Sequence, residues 1–207
     1  MLNLTKDDIV RNCNAASDGR VRKALAALFG VDNEDSGAGS ASQTTTSAVE
    51  YGSDAVGRKT VITISATTVA LTDDPGNGQY GGVKIYDFPP GLIQIDACAV
   101  SGNLTGYASL IDTFASVTAL GTATAGTGNT LTGTEADIMA SAANSAAVSE
   151  VAAVAVASSS AVAPLNGTGT AKDCYLNFLV TDDAAHGSGN ASFAGTVTIW
   201  WRNLSAT

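Results

Sequence analysis

The 207 residues are 45% hydrophobic but only 6% aromatic, and 14% are charged, against the roughly 25% of an average globular domain. Ala and Val dominate, with Gly, Ser and Thr filling the gaps, a composition of β-sandwiches and surface proteins rather than of a helical enzyme. A net charge of −9 argues against nucleic-acid binding, which needs clustered Lys and Arg to neutralise phosphates.

The length suits one domain with appendages. The opening MLNLTKDDIVRN is acidic by Asp7 and has no apolar core, so no signal peptide is expected there. Thr5 is a candidate N-cap, with Asp7 and Asp8 placed where a helix dipole favours them. A second helical run from Arg20 puts Val21, Leu25, Leu28 and Phe29 on one side and ends at Gly30. Residues 1–35 are therefore expected to form a short helical arm. Its apolar side is the first candidate protein interface, because so small a face must dock on something larger. The cluster Arg20, Arg22 and Lys23 reads as a solvated helix face. Residues 36–49 are rich in Gly, Ser and Thr without apolar periodicity and read as a flexible linker.

Residues 50–207 carry a β pattern. KTVITIS (59–65) and TTVALT (67–72) predict two short strands, followed by the turn cluster DDPGNG (73–78). In YGGVKIYDFPPGLIQIDACAV (80–100), Val83 and Ile85 alternate with Lys84 and Tyr86. Pro89-Pro90-Gly91 turns the chain, and Ile93, Ile95, Ala97 and Ala99 resume the two-residue period. That reads as a hairpin buried on one face. Residues 107–120 alternate less cleanly, 121–133 read as a Gly/Thr loop, and Thr134 caps a single helical turn over 134–140. The Ala-rich run 142–163 fits a helical period only partly, and strand is expected over 148–158. The longest charge-poor run, 136–163, carries Asp137, Glu150 and many Ser, too polar to span a bilayer. CYLNFLVT (174–181) and FAGTVTIWWRNL (193–204) are the last strands. About eight strands without intervening helices predict an antiparallel β-sandwich or jelly roll.

No constellation carries chemistry. Cys13, Cys98 and Cys174 are far apart, with no metal-ligand spacing, and read as buried free thiols of a protein folded in a reducing cytosol. The lone histidine, His186, sits beside Asp182 and Asp183 in a Gly/Ser/Asn loop and reads as a loop residue. No G-x-S-x-G elbow accompanies it. The pairs Asp7/Asp8, Asp73/Asp74 and Asp182/Asp183 fall at a helix start or in turns, where Asp serves capping and turn bonds. Asp73–Gly78 lacks the ligand spacing of a calcium loop. The Gly-rich stretches 126–128 and 167–172 lack the register of phosphate-binding loops. No catalytic residue, metal or cofactor is expected. Trp200-Trp201 stands out: on one strand the two face opposite sides, so Trp201 joins the core with Val197 and Ile199. Trp200 points outward, either as an interface anchor or under the chain's own arm or a loop.

Taken in order, VKIYDFPPGLIQIDACAV (83–100), TLTGTEADI (130–138), NGTGTAKDCYLNFLVTDD (166–183) and GTVTIWW (195–201) resemble a group of virion structural proteins of tailed bacteriophages. Their pattern runs K-x-Y-D-F-P-x-G, T-x-T-E-x-D-I, G-T-x-T-A-K-D-x-Y-L-N. The likeness spans about residues 50–204 and leaves out the arm. It implies a head decoration, or cement, protein on the capsid exterior, assembled in the host cytoplasm and commonly trimeric. Its partners would be the major capsid protein and its own copies, with neither nucleic acid nor membrane involved. Tail or fibre-attachment component is the neighbouring alternative, and a carbohydrate-binding or adhesin module using Trp200 and tyrosines is one of a different class.

Overall fold

The computed structural model describes residues 40–41, 46–53, 57–106, 115–144, 150–155, 163–180 and 188–205. Within these the chain is nearly all β, and every strand pair is antiparallel. The strands are β1 (Ser40–Ala41), β2 (Thr46–Ser53), β3 (Gly57–Asp74), β4 (Gly78–Asp87), β5 (Gly91–Thr105), β6 (Ser116–Gly121), β7 (Met139–Ala143), β8 (Glu150–Ala155), β9 (Leu165–Gly167), β10 (Asp173–Val180) and β11 (Gly189–Asn203). They form one curled sheet in the order β7-β6-β10-β4-β3-β11-β5-β8, with β1 on β4, β2 on β3 and β9 on β5. The arm residues Val21, Leu25, Leu28 and Phe29 lie outside the described residues, as do His186, Asp182 and Asp183. β2 begins inside the stretch read as linker.

The curl comes from β3. Its first part pairs with β2 and β11, while its last residues, Thr72–Asp74, pair with β4. The inward side chains of both halves meet in one core. Phe178 of β10 lies 5.6 Å from Phe193 of β11, and Phe88 stacks edge-on to Trp201 at 5.5 Å. Edge-to-face contacts of this kind suit the ring quadrupoles and add to the area the rings bury.

Three expectations of the sequence are corrected. The two short runs 59–65 and 67–72 are one strand broken by a bulge. Arg58, Thr60, Ile62 and Ile64 face inward, then Thr67, Val69 and Leu71 do. The phase changes at Ser65-Ala66, where Ala66 adopts φ 51° and the register with β11 shifts. Second, β5 keeps Ile93 and Ile95 inward but then turns in Cys98 and Val100, not Ala97 and Ala99. Asp96 is the extra residue there, between partners Ile95↔Trp201 and Ala97↔Trp200.

Third, β4 and β5 are not a hairpin: β4 pairs with β1, β3 and β10, and β5 with β8, β9 and β11. Two successive prolines lack the N–H and the φ freedom of a tight hairpin turn, so they carry the chain from one half of the sheet to the other. The crossing is pinned at both ends. Phe88 N donates to Lys172 O at 2.9 Å, and Asn203 Nδ2 donates to Pro90 O at 3.1 Å. Gly91 closes it at φ 140°, where a Cβ would lie 2.3 Å from Asn203 Oδ1.

The segment 121–138 is a loop organised by β10. Buried Asn177 donates from Nδ2 to Ala123 O (2.9 Å) and Glu135 O (2.8 Å), and its Oδ1 accepts from Ala125 N (3.0 Å). Asp137 accepts from both the backbone and the hydroxyl of Thr122, each at 2.7 Å. The expected helical turn is shorter and earlier, a 3-10 turn at Gly133–Glu135 preceded by Thr132 rather than capped by Thr134. Glu135 is held by Gly126 N and Thr132 N, and the chain is already in β7 by Met139. Of the strand expected over 148–158, residues 150–155 form β8 and the remainder lies outside the described residues.

Candidate interaction surface

Alternation along β11 separates the two tryptophans. Trp201 is fully buried, with its Nε1 donating to Thr60 Oγ1 at 2.8 Å, while Trp200 is 37% exposed on the convex side. Strand register then decides what surrounds Trp200. Lys59 of β3 is its direct partner, and Tyr51 of β2 is the partner of Lys59. The next row in the same direction is Thr198, Val61 and Val49. Tyr51 and Val49 are each 44% exposed, and Val61 and Thr198 are half-buried. Adjacent residues on neighbouring strands lie about 5 Å apart, so these six side chains form one contiguous face.

The Lys59 ammonium sits 5.6 Å from the Trp200 ring centroid and 5.9 Å from that of Tyr51. Both are within cation–π range, so the cation holds two rings in one row. Such a row loses less rotamer entropy on binding than three free side chains would. Beyond Trp200, Arg202 makes a two-pronged contact to the bulge residue Asp96, from Nε at 2.9 Å and Nη2 at 2.7 Å. The Asp96 bonds, and then its charge, raise the Arg202 pKa further. This fork neutralises the end of the face.

Directly beneath lies a buried polar cluster. Arg58 Nη1 pairs with Glu50 at 3.0 Å, the Tyr86 hydroxyl also donates to Glu50, and the Arg58 guanidinium lies 5.4 Å over the Trp201 ring. Every member meets a partner, as a charge in so dry a place requires. The cluster ties β2 to β3 and β4 and so fixes the strand that carries Tyr51 and Val49.

The other reactive groups are occupied structurally. Burial raises the Cys98 pKa to about 12, and Cys98 Sγ donates to Ile138 O at 3.5 Å. Cys174 is raised well above its ordinary value, by burial first and then by neighbouring negative charge from Cys98, Asp137 and Asp173. Both are free, protonated thiols. Lys84 is shared between Asp173 at 3.0 Å and Asp87, and the Asp87 hydrogen bond does most to raise its pKa. Asp74 accepts from Gly128 N at 2.9 Å, a loop tie rather than an open ligand site. Among the described residues, no three His, Cys, Asp or Glu side chains gather as a metal site, and no helix is long and apolar enough to cross a membrane.

Of the interface residues expected from the sequence, Trp200 is where alternation placed it. Tyr51, Lys59 and Val49 were not singled out, because only the register between strands distant in sequence brings them beside it. No protein-family model, curated protein or solved structure matches the chain.

Proposed function

We propose that the chain is a structural protein of a tailed-phage virion, a head decoration protein that binds the outer surface of the major capsid lattice and acts mechanically rather than as an enzyme. In this reading the curled sheet is a jelly-roll-like sandwich, and residues 1–35 are an arm reaching the lattice or an adjacent copy. Copies associate with one another, as trimers, on the capsid exterior after synthesis in the host cytoplasm. The work done is burial of surface across capsomer joints, which raises the cost of separating them; lattice symmetry multiplies modest contacts.

The observation that carries this reading is the face of Tyr51, Lys59, Trp200, Val49 and Val61: aromatic, little charged and held in place from below. Trp and Tyr anchors with an apolar surround are the composition of binding hot spots. The ordered motif likeness points the face toward a capsid, and the acidic balance suits the outside of a shell, away from packaged DNA. The test is co-sedimentation of the full chain with empty shells built from the major capsid protein of the same genome. Binding that falls at least tenfold in Trp200→Ala supports the reading; no binding by the native chain refutes it. A glycan-binding module is the second reading, favoured by the same pair of exposed rings. Binding to polysaccharide that is lost in both Tyr51→Ala and Trp200→Ala would select it.

A further inference from the structure

We infer that Asn77 is a site of spontaneous covalent modification, deamidating through attack of the Gly78 backbone nitrogen on its side-chain amide. The sequence contains two Asn-Gly steps, Asn77-Gly78 and Asn166-Gly167, and the fold treats them differently. Asn77 ends the turn between β3 and β4. Pro75 and Gly76 occupy its centre, Gly76 adopts φ 83°, and Asn77 N donates to Asp74 O at 2.9 Å, the pattern of a type II turn. The Asn77 side chain is exposed, and among the described residues its amide has no hydrogen-bond partner. Gly78 follows at φ 131° and has no Cβ to shield its nitrogen. Gly78 is buried, and the close contact there is at its carbonyl: a Cβ on Gly128 would lie 2.4 Å from Gly78 O. Asn166 lacks the freedom of Asn77. Its Oδ1 accepts from Thr168 N at 3.2 Å and from Thr168 Oγ1 at 2.7 Å. Gly167 is packed on β5, where a Cβ would lie 2.9 Å from Gly91 O.

The step balances with water alone and needs no oxidant or cofactor. The Gly78 nitrogen gives up its proton and bonds to Asn77 Cγ, the Cγ–Nδ2 bond breaks, and ammonia leaves. The resulting succinimide ring then takes up water. Opening at Cγ leaves aspartate; opening at the main-chain carbonyl leaves isoaspartate, with the chain running through Cβ. Either product sets a new carboxylate beside Asp73 and Asp74, and like charges this close repel. Asp74 is also the residue that ties this turn to the 121–138 segment, its Oδ2 accepting from Gly128 N at 2.9 Å. The modification is therefore a one-way change of charge where β3 passes the chain to β4 and where that segment is fastened. It does not rest on the decoration reading, since it is a property of the free protein and needs no shell.

The experiment is peptide mapping by mass spectrometry of the full-length protein, incubated at mildly alkaline pH in buffer and, separately, in urea. In the folded protein the peptide holding Asn77 should gain one mass unit and show isoaspartate at least tenfold faster than the peptide holding Asn166 converts. In urea the two sites should convert at comparable rates, because both are then unrestrained Asn-Gly steps. Incubation in heavy-oxygen water should add two further mass units to the product, the mark of a hydrolysed succinimide. Asn77→Gln should abolish the gain, and Thr168→Ala should speed conversion of Asn166 severalfold in the folded protein. No gain at Asn77 in the folded protein, over a time that completes the reaction in urea, would overturn the inference. Equal rates at Asn77 and Asn166 in the folded protein would overturn it too, since the fold would then select neither site.

Discussion

Replacing Asn177 with Ala tests how the 121–138 segment is held. The side chain is fully buried and makes three hydrogen bonds, two given to the carbonyls of Ala123 and Glu135 and one received from Ala125 N. A neutral bond contributes about 1 kcal/mol net, but a buried partner left without one costs about 1–3 kcal/mol. Removing the amide strands up to three backbone groups, although water entering the space can recover some of them. The expected loss is about 3–4 kcal/mol in urea unfolding, with an unchanged slope. Asn177→Asp sharpens the test. It keeps the acceptor for Ala125 N but turns a carboxylate oxygen toward two carbonyls, so this variant should be more stable at pH 4 than at pH 7. The native chain needs no such reversal. A loss under 1 kcal/mol for Asn177→Ala would show that the loop is held by its other ties, those of Asp137 and Glu135, and refute the assignment of Asn177 as its clamp.

Gly91→Ala should cost about 2–4 kcal/mol, read as a lowered urea midpoint, because φ 140° and the contact with Asn203 both exclude a Cβ. Glu50→Gln keeps an acceptor for Tyr86 but leaves the buried Arg58 guanidinium undercompensated, with an expected loss of about 3 kcal/mol by the same assay. The two thiols should make the fold alkali-sensitive. Both folded pKa values lie above the ordinary 9, so their contribution is complete below pH 9 and declines as pH rises above it, for Cys98 until about pH 12 and by about 1.4 kcal/mol per pH unit. Cys98→Ala/Cys174→Ala should flatten the decline in stability above pH 9; an unchanged slope would place those thiols in contact with solvent.

Much of the fold was legible because alternation is a local signal. Cys174–Val180 and Phe193–Leu204 each state their inward face in their own sequence, whereas in β4 the expected outward Tyr86 is buried beside Ile85, where the register with β10 shifts; the absence of helical runs among the strands implies antiparallel pairing. The errors fall where one extra residue interrupts the period. Ser65-Ala66 and Asp96 each shift the inward phase, and Ala97 and Ala99 look like core only if the period is carried through Asp96. A bulge leaves no strong mark in composition when its residue is Ala or Asp rather than Gly. Pairing partners were harder still: Pro89-Pro90-Gly91 reads as a turn whether the strands on either side meet each other or part to opposite halves of the sheet.

The same logic explains why only one member of the exposed face was visible in the sequence. Trp200 declares itself because it adjoins Trp201, and two neighbours on a strand cannot both be buried on the same side. Lys59, by contrast, is a polar residue at an expected outward position, and Tyr51 lies in a stretch whose Gly and Ser suggest no strand. Their relation exists only after β2, β3 and β11 are set in register. That register is itself fixed from the buried side, by Glu50 reaching Arg58 and Tyr86 and by Thr60 receiving the Trp201 indole. The polar cluster under the sheet thus determines which side chains stand together above it. A change at Glu50 should therefore disturb Tyr51 and Lys59 as well as stability.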